Sequence, residues 1–497
     1  MKFKSLLAKP FASYIYNKIQ KGKVSAVADQ QAILKYLIKS GKDTDFGKLH
    51  HFENIKNYDE FKQAVPVKDY EAFKPFIEKI KEGKHNVLWK GKPIYFAKTS
   101  GTTSGVKYIP ITKDSITNHI QSARNALLCY MAETGNTAFA DGKMIFLSGS
   151  PELERIADIP TGRLSGIVNH HIPKYLRTNQ LPSYETNCIE DWETKLDAIV
   201  AETYLQDMTL FSGIPPWVQM YFDRLTEKTG KKIKDIFPNL SLLVHGGVNF
   251  EPYKARLFES IGKSVDSIET FPASEGFFAF QDSQQAEGLL LNTNSGIFFE
   301  FVPASEIESE NPTRLWLKDV KVGENYGLII SSNAGLWAYN IGDTIKFVST
   351  NPYRIIVTGR TKHFISAFGE HVIAEEVEQS LLKAATEEGV QITEFTVAPL
   401  INGEGKSCHQ WFVEFEKEPQ SLHAFAQKVD DNLRLKNIYY DDLLRGNILQ
   451  TLQIIPIKRG GFVNYMKEQG KLGGQNKVPR LSNDRKIADE IIKWKSN

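Results

Sequence analysis

The sequence predicts an α/β protein with a large N-terminal domain, in which helices flank a parallel-rich sheet and an antiparallel sheet or barrel is appended, and a smaller α+β C-terminal domain. Three observations carry this prediction. The chain has 497 residues, which is too long for one ordinary hydrophobic core. Apolar runs alternate with helical patterns in its first half. After residue 287 closely spaced strand patterns follow, and a new mixed pattern begins after residue 360.

Three short apolar runs define the predicted parallel sheet. Met144–Leu147, Leu240–Val244 and Val265–Thr270 each end in a segment rich in glycine, serine or threonine. Helical spacing of apolar residues predicts helices over Trp192–Val200 and Pro216–Leu225. Ligands of such folds bind where the carboxyl ends of parallel strands meet their loops, so these small-residue segments are the expected site.

Two more helices are predicted nearer the N-terminus. Thr112 is a candidate N-cap. The apolar residues that follow it at helical spacing are Ile116, Ile120, Ala123, Leu127 and Tyr130. The first residues, MKFKSLLAKPFASYIY, are not read as a secretion signal, because Lys9 and Pro10 interrupt the apolar stretch and no small-residue cleavage site follows. A helix packed on the core is favoured there over one lying on a membrane.

Three hairpins are predicted after residue 287 from strand patterns on either side of turn residues. The pairs are Leu289–Leu291 with Ile297–Val302, Gly327–Ser331 with Leu336–Tyr339, and Thr344–Val348 with Arg354–Val357. Together they predict the appended antiparallel sheet.

The domain boundary is predicted at Thr358-Gly359-Arg360, with an N-terminal domain over 1–358, a hinge near 359–360 and a mobile C-terminal domain over 361–497. The C-terminal part is long enough for an independent α+β domain. Its predicted elements are helix Ala374–Glu388, strand Glu394–Ala398, strand Gln410–Glu416, helix Leu422–Leu435 and strand Thr451–Ile457.

Composition and charge exclude several classes of function. The net charge of +2 argues against nucleic acid as the main partner, since backbone phosphates require a concentrated basic surface. The three cysteines, Cys129, Cys188 and Cys408, lie far apart, which disfavours zinc and a disulfide framework and fits a reducing cytoplasm. No window approaches the apolar length that spans a bilayer.

The stretch AKTSGTTSGVKYIPIT, residues 97–112, is the strongest candidate for chemistry. Five hydroxyl residues and two glycines fill Thr99–Gly105, and Lys107 follows. Glycines let backbone N–H groups point at an anion, hydroxyls add donors, and lysine supplies charge. The stretch departs from the Walker pattern, and by itself it fits a flexible turn equally well.

Four further segments carry weaker signals, each with an ordinary structural alternative. In Thr270–Glu275, Glu275 suits Mg²⁺ beside phosphates and Phe271 suits stacking on a base, although a core phenylalanine and a solvated glutamate fit too. Asp343 in YNIGD suits the hydroxyls of a ribose or a plain turn. Gly359-Arg360 suits a hinge that touches a nucleotide or a plain linker. Lys477 in GGQNKVPR lies on a glycine-rich loop.

The order of these segments along the chain resembles that of the motifs in the acyl-adenylate-forming superfamily. The residues within each segment resemble those of the Gretchen Hagen family of acyl acid amido synthetases. The phosphate loop of that family is close to SSGTS-x-G-x-x-K, and here it is TSGTTSGVK. The remaining family motifs are close to Y-x-S-S-E, Y-R-x-G-D and Q-x-K-x-P-R, and here they are FPASE, YNIGD and QNKVPR. FSGIPPWVQM at 211–220 resembles the entry of the family's acyl-site helix. The similarity runs from about residue 60 to the end.

The sequence departs from the family at three motif positions. Asn340 stands where arginine is usual, Phe271 replaces tyrosine, and Ala273 replaces serine. None of these removes Glu275, Asp343 or Lys477.

The resemblance implies an ATP- and Mg²⁺-dependent ligase that adenylates a carboxylic acid and passes the acyl group to an amine, expected to be an amino acid. Lys477 and Glu275 are the implied catalytic residues, with Glu275 as metal ligand. The implied nucleotide-binding residues are Thr99, Ser100, Gly101, Thr102, Thr103, Ser104, Lys107, Gly246, Gly247, Thr270, Phe271, Ala273, Ser274, Asp343 and Arg360. The implied acyl-binding residues are Ile214, Pro215, Trp217 and Val218, with Arg124 as a candidate carboxylate partner.

Two rival functions stay open on the sequence. An acyl-CoA ligase shares the adenylation step and differs in its thiol acceptor. A nucleotide-binding regulator would keep the fold without turnover, although intact Glu275, Asp343 and Lys477 argue against it. The acid, the acceptor, the pathway, the oligomeric state and the direction of Arg124 do not follow from the sequence.

Overall fold

The computed structural model of the chain describes residues 3–100, 106–172, 177–247, 250–307, 309–360, 364–365, 367–370, 372–401, 407–469, 478 and 480–496. The chain forms two compact units. Unit 1 covers Met1–Lys98, Tyr108–Ile189 and Lys195–Thr361, and unit 2 covers Thr99–Lys107, Glu190–Thr194 and Lys362–Asn497.

Seventeen α-helices occur in the described part of the chain. The first twelve are α1 Phe3–Gly22, α2 Ala26–Gly41, α3 Asp45–Leu49, α4 Tyr58–Ala64, α5 Tyr70–Lys81, α6 Ile116–Thr134, α7 Leu164–Asn169, α8 Tyr184–Asn187, α9 Trp192–Thr203, α10 Pro215–Thr229, α11 Ile233–Ile236 and α12 Glu251–Ile261. The rest are α13 Ala374–Glu388, α14 Leu422–Lys436, α15 Ile438–Arg445, α16 Gly461–Glu468 and α17 Lys486–Ile491. None of the described helices is long and apolar enough to cross a membrane.

The strands fall into two larger and two smaller sheets. The first ten strands are β1 Tyr95–Ser100, β2 Val106–Ile111, β3 Lys143–Phe146, β4 Glu154–Ile156, β5 Ile159–Gly162, β6 Gln180–Leu181, β7 Met208–Ser212, β8 Leu242–Gly246, β9 Asp266–Ala273 and β10 Gly276–Phe280. The remaining strands are β11 Leu289–Leu291, β12 Ile297–Pro303, β13 Leu315–Trp316, β14 Asn325–Ser332, β15 Tyr339–Thr350, β16 Tyr353–Arg360, β17 Phe364–Ile365, β18 Val372–Ile373, β19 Gln391–Leu400, β20 Cys408–Lys417 and β21 Gln453–Ile457.

The largest sheet has twelve strands in the order β13-β12-β14-β15-β16-β11-β10-β9-β8-β7-β3-β6. Strands β3, β7, β8 and β9 run parallel, which confirms the predicted parallel sheet. β7 is buried over four of its five residues, as expected for a strand covered on both faces. Antiparallel pairing of β9 with β10 joins this part to the antiparallel strands, so the appended sheet is hydrogen-bonded to the parallel one.

One of the three predicted hairpins is confirmed, because β15 pairs with β16 around the turn at Asn351-Pro352. β14 also pairs with β15, but of the predicted partner strand Leu336–Tyr339 only Tyr339 is in a strand, and it is the first residue of β15. The prediction of a hairpin between Leu289–Leu291 and Ile297–Val302 is wrong. β11 already has β10 on one edge and β16 on the other, so neither edge is left for β12, which pairs with β13 and β14.

The predicted packing of the N-terminal helix on the core is confirmed. Ala12 and Ile15 of α1 are buried in one cluster with Cys129 and Tyr130 of α6. Helix α1 ends near Lys23, whose ammonium lies 2.7 Å from the carboxylate of the fully buried Asp282.

Helix α6 begins at Ile116 and buries Ile116 and Tyr130 of its predicted apolar face, but it also buries polar residues that the sequence did not predict. Thr112 does accept a hydrogen bond from the Ser115 backbone N–H at 3.0 Å, but the helix itself starts at Ile116. Ala123, predicted on the apolar face, is exposed. Three polar residues are buried instead because they lie one helical step away on the side that contacts the sheet: Asn118, His119 and Ser122.

Unit 2 contains the predicted α+β pattern. The sheet order is β19-β20-β21, and α13 and α14 match their predicted ranges within one residue. A buried contact joins His409 Nε2 of β20 to Glu370 Oε1 at 2.9 Å, and the other carboxylate oxygen of Glu370 accepts the Phe368 backbone N–H at 2.7 Å.

Candidate functional site

The ends of β8 and β9 approach each other closely. Gly246 lies opposite Thr270 in the parallel ladder, and a Cβ on Gly246 would lie only 2.3 Å from the Thr270 carbonyl oxygen. The Thr270 hydroxyl donates a hydrogen bond to the His245 carbonyl at 2.9 Å. Gly247 follows with φ of 82°, a left-handed conformation that glycine adopts without strain. Glycine is therefore required for this turn of the backbone.

His245, the first residue of the HGG stretch, was assigned no role from the sequence, and it places a buried imidazole at this edge. Its ring stacks on Phe250 with centroids 3.9 Å apart and an interplanar angle of 16°. Burial, with a smaller contribution from the charge of Lys254, lowers the pKa of His245 to about 4. Within the described residues, its Nδ1 atom makes no hydrogen bond. His245 is therefore a neutral ring at neutral pH.

The FPASE segment extends a strand and then turns. β9 continues through Ala273, and Ser274-Glu275 forms the turn into β10, whereas the sequence predicted a strand ending at Thr270. Phe271 is 8% exposed and its ring packs edge-on against Phe278 at 5.1 Å. Stacking of Phe271 on a base stays a prediction.

The Glu275 carboxylate lies beside the YNIGD segment. Oε1 of Glu275 accepts the hydroxyl of the fully buried Tyr339 at 3.4 Å. The two residues are 64 positions apart in the chain, and they come from a turn and from the first residue of β15. The structure thus brings two of the predicted motifs together.

YNIGD begins a long strand, whereas the sequence placed Asp343 at a strand end. β15 starts at Tyr339, turns at Gly342 with φ of 85°, and shifts its register after Thr344. Asn340, which replaces the usual arginine, accepts the Gly342 N–H with its side-chain oxygen at 2.9 Å. Asp343 lies opposite Arg360 in the antiparallel ladder. Asn340 therefore holds the bend that presents Asp343.

The predicted acyl segment begins where β7 ends. Pro215 and Val218 are on the first turn of α10, and the side chain of Val218 is 4% exposed. A Cβ on Gly213 would lie 3.0 Å from Leu147 Cβ and 3.3 Å from Val218 Cγ2. A Cβ on Gly247 would have Ile214 Cγ1 as a neighbour at 3.9 Å. The acyl segment is therefore adjacent to the glycine turn after β8 and to the end of β3.

Arg124 does not face this edge of the sheet. Its guanidinium lies 5.7 Å from the ring centroid of Phe11 in α1, and Nη2 donates to Asn125 at 3.2 Å. The side chain is exposed. The candidate carboxylate partner named from the sequence is thus a surface residue.

Sequence reasoning also missed two buried polar residues near the same edge. Lys195 is three residues after Trp192 and four before Ile199, so its position on the apolar face of α9 was a usable signal. His119 follows Ile116 by three residues on α6 in the same way. A polar residue at an apolar position of a helix is the pattern that would have found both.

The phosphate-loop segment is described in part. Thr99 and Ser100 end β1, and Lys107 on β2 is 7% exposed. Gly101, Thr102, Thr103, Ser104 and Lys477 lie outside the described residues, as do the side chains of Ser100 and Arg360. Within the described ranges, no group of three or more His, Cys, Asp or Glu side chains is placed to hold a metal ion.

Three family models match the chain in sequence order. They are the GH3 family N-terminal domain over residues 15–199, the central domain over 290–360 and the C-terminal domain over 375–486. The chain belongs to the GH3 family. The resemblance read from the motifs, to the family named Gretchen Hagen, is confirmed.

Curated relatives within the GH3 family share about a fifth of their residues with this chain. The indole-3-acetic acid-amido synthetase GH3.3 of Arabidopsis thaliana is 21% identical, over 91% of this chain and 88% of its own. The jasmonoyl–L-amino acid synthetase JAR6 of Nicotiana attenuata is 20% identical, over 91% and 90%.

Solved structures show the same fold over almost the whole chain. The GH3.15 acyl acid amido synthetase matches with a TM-score of 0.62 at 14% identity, covering 97% of this chain and 96% of its own. A 2-hydroxyisobutyryl-CoA ligase matches with a TM-score of 0.56 at 12% identity, covering 97% and 92%. The fold is thus shared by enzymes that differ in their acyl acceptor.

Proposed function

We propose that this chain is an ATP-dependent acyl acid amido synthetase, which adenylates a carboxylic acid and transfers the acyl group to the amine of an amino acid. The observation that carries the proposal is the contact between Glu275 and Tyr339, because it joins the turn after parallel strand β9 to the start of the distant strand β15. The class of reaction, joining an acid to an amino acid, is taken from the names of the curated relatives, which are amido synthetases and amino acid synthetases.

The nucleotide is assigned to the ends of β8, β9 and β15. The adenine is assigned to the backbone at Gly246 and Gly247, with Thr270, Ala273 and Ser274 beside it, because these glycines carry no side chain that would cover the backbone. Asp343 is assigned to the ribose hydroxyls. Phosphate oxygens are assigned to Thr99–Ser104 with Lys107, and Arg360 is assigned a nucleotide contact at the hinge.

Glu275 is the candidate magnesium ligand. Mg²⁺ in nucleotide sites takes one or two protein carboxylates and completes its shell with water and phosphate oxygens, so a single half-buried carboxylate fits. Bound there, the ion would neutralise charge on the phosphates. The Tyr339 hydroxyl at 3.4 Å orients the carboxylate.

The first step exchanges one phosphoanhydride bond for an acyl phosphate bond. A carboxylate oxygen attacks the α-phosphorus of ATP, and pyrophosphate leaves. No proton needs to be removed from the acid, so the protein contributes positioning and electrostatic stabilisation.

The second step forms the amide. The neutral amine attacks the acyl carbonyl, AMP leaves with the bonding electron pair, and the amine loses one proton. AMP makes this possible, because an unactivated carboxylate would have to expel oxide. The acyl chain is assigned to Ile214, Pro215, Trp217 and Val218.

Lys477 is assigned to the transferring phosphate in the first step. We propose that the C-terminal domain, residues 361–497, carries it there and withdraws it by rotating about residues 359–360 between the steps. The lysine would then be needed for adenylation and dispensable for transfer.

Pyrophosphate exchange tests the first step without knowledge of the acceptor. The purified protein is given ATP, Mg²⁺, labelled pyrophosphate and a panel of aromatic, aliphatic and hydroxylated carboxylic acids. Label that enters ATP only when an acid is present supports adenylation. Failure with every acid, when a known adenylating enzyme succeeds on the same panel, contradicts it.

The acceptor is tested next with the acids that support the exchange of labelled pyrophosphate into ATP. Each is offered L-amino acids in one reaction and coenzyme A in another, and the product is identified by mass. An amide supports the proposal. A thioester would instead favour the acyl-CoA ligase reading, whose fold is also shared.

A further inference from the structure

Helix α1 carries charges of one sign only. Its 20 residues, Phe3–Gly22, contain four lysines and no aspartate or glutamate. In the whole chain the two signs balance, with 61 Lys and Arg residues against 59 Asp and Glu residues. The helix is therefore a local excess of positive charge in a protein that is close to neutral, and the surface that it forms attracts anions.

One side of α1 is already used for packing. The α1 residues that pack in the cluster shared with α6 include Ala8, Ala12, Ile15 and Ile19. Just after the helix, the Lys23 ammonium lies 2.7 Å from the carboxylate of the buried Asp282. The helix is therefore fixed along unit 1, and it can present a second side to a partner without leaving the core.

The second side of α1 carries aromatic and basic residues. This α1 stripe consists of Phe11, Tyr14, Lys18 and Lys21, which are spaced three, four and three residues apart and so share one face of the helix. Phe11 is 46% exposed, Tyr14 is 64% exposed, and both lysines are exposed. Within the described part of the chain, no carboxylate pairs with Lys18 or Lys21. The stripe is therefore an open surface of cations and rings.

Helix α6 adds a further cation beside the stripe. The guanidinium of the exposed Arg124 lies 5.7 Å from the centroid of the Phe11 ring. The one acidic residue in the sequence of α6, Glu133, is already engaged. Its carboxylate accepts hydrogen bonds from the Ser283 hydroxyl and, at 2.8 Å, from the Gln284 backbone N–H. Neither α1 nor α6 therefore offers a carboxylate that would neutralise the stripe.

The chemistry of the α1 stripe matches an anionic membrane surface. Lysines near a bilayer are attracted by the negative potential of acidic lipid headgroups. Aromatic rings are favoured at the depth of the headgroups, where the ring is buried and its polar edge stays hydrated. A nucleic acid would also attract the lysines, but its bases stack on open ring faces, and Arg124 lies over the Phe11 ring. The combination of charge and rings therefore favours lipid.

We propose that the α1 stripe binds this protein to the surface of membranes that contain anionic lipids. Lys18 and Lys21 pair with the headgroups, Phe11 and Tyr14 enter the headgroup layer, and the helix stays packed on unit 1. Binding of this kind is reversible and sensitive to salt, because few groups supply it and ions screen the lysines. The inference is independent of the proposed reaction, since binding is measured without turnover.

Sedimentation of the full-length protein with lipid vesicles tests the inference. One set of vesicles is pure phosphatidylcholine, and the other contains about 30% phosphatidylserine to supply negative charge. Lys18→Glu/Lys21→Glu reverses both charges of the stripe, and Tyr14→Ser removes a ring. Lys228→Glu/Lys231→Glu is the matched control, because these lysines are also exposed and three residues apart, and the variant has the same change in net charge.

Wild type is expected to bind the phosphatidylserine vesicles at least about 10-fold more tightly than pure phosphatidylcholine, and to lose this preference between about 0.1 M and 1 M salt. Lys18→Glu/Lys21→Glu is expected to weaken binding to the anionic vesicles roughly 30-fold. Tyr14→Ser is expected to weaken binding severalfold and to keep the salt dependence, because salt does not screen the contact of a ring. The control variant is expected to stay within about threefold of wild type.

Three results would overturn the inference. Wild type that binds neither kind of vesicle, or both equally, does not recognise anionic lipid. Equal losses in Lys18→Glu/Lys21→Glu and in the control variant would mean that net charge directs binding and the stripe does not. A labelled single-stranded oligonucleotide gives the third: if Lys18→Glu/Lys21→Glu abolishes its binding and leaves vesicle binding unchanged, the stripe binds nucleic acid. Thermal melts that match wild type show that each variant is folded.

Discussion

At the scale of single residues, the site is marked by polar side chains placed where the local pattern calls for apolar ones. His119, Lys195 and His245 are each at most 6% exposed, and burial lowers the pKa of all three. Burying such groups is unfavourable unless hydrogen bonds or a ligand compensate. His119 is on α6, His245 is on β8, and Lys195 of α9 donates to the Ser148 carbonyl just after β3.

Glu275 gives the most direct prediction at this scale. Glu275→Gln keeps the size of the side chain and removes the charge that would hold Mg²⁺, so pyrophosphate exchange is expected to fall by about 10²-fold. Tyr339→Phe removes the 3.4 Å contact and keeps the charge of Glu275, so it is expected to change the rate severalfold at most. A Glu275→Gln protein that exchanges label within twofold of wild type contradicts the metal assignment.

His119 gives a prediction about pH. Burial lowers its pKa from the ordinary 6.5 to about 4, so between these values the unfolded chain binds the proton and the folded chain does not. The contribution of His119 to the free energy of unfolding is therefore fully present above pH 6.5. It is lost as the pH drops towards 4, which lowers the free energy of unfolding by about 3 kcal/mol.

Denaturant titrations at pH 7.5, 6 and 5 check this expectation. His119→Gln should flatten the loss of stability between pH 6.5 and 4. Equal slopes in wild type and His119→Gln would show that this histidine titrates normally.

At the scale of elements, one amide of α6 bonds to the backbone of the sheet. Asn118 accepts the Phe277 N–H at 2.7 Å and donates to the Phe277 carbonyl at 3.1 Å, so it pairs with β10 as another strand would. Periodicity predicted the helix but placed Ala123 on its buried face. The reason is that the backbone N–H and carbonyl of Phe277 need hydrogen-bond partners where α6 packs on the sheet. A polar side chain of α6 supplies these hydrogen bonds, and an apolar side chain does not.

Asn118→Ala tests this anchor. It leaves the Phe277 N–H buried and unpaired, and unfolding free energy is expected to drop by about 2 kcal/mol. The exposed Gln121 of the same helix is the control, and Gln121→Ala should stay within about 0.5 kcal/mol of wild type. Equal stabilities of the two variants in denaturant titrations would mean that the Asn118 bonds contribute nothing net.

Two strands are longer than the local sequence pattern predicts. β9 continues to Ala273 and β15 to Thr350, both beyond their predicted ends. Each is extended by the neighbour that it pairs with, β10 and β16 respectively, and a single sequence does not reveal its partner. The same reason explains the wrong hairpin at β11 and β12.

At the scale of the whole molecule, the function depends on residues that are scattered over the chain. Glu275, Tyr339 and Asp343 come from strands in the antiparallel half, and Gly246 and Ile214 come from the parallel half. One continuous sheet joins the halves through β10 and β11, so the assigned nucleotide and acyl positions share one rigid frame.

Lys477 carries the prediction at this scale, because its assigned role separates the two half-reactions. Lys477→Ala is expected to reduce pyrophosphate exchange by at least about 10²-fold and to leave amide formation from a chemically prepared acyl-adenylate within severalfold of wild type. Lys467→Ala, at an exposed position of α16, is the control. Equal loss of both half-reactions would contradict a role confined to adenylation.

By itself the sequence determined the fold class, the family and the motifs. The periodicity of apolar residues and the residue sequence of short loops can both be recognised locally along the chain. Only the tertiary structure decided that Glu275 touches Tyr339, that Arg124 faces Phe11, and that Lys195 is buried. Those facts depend on which strands pair and in what register, and pairing is settled by burial of the whole core and not by any one segment.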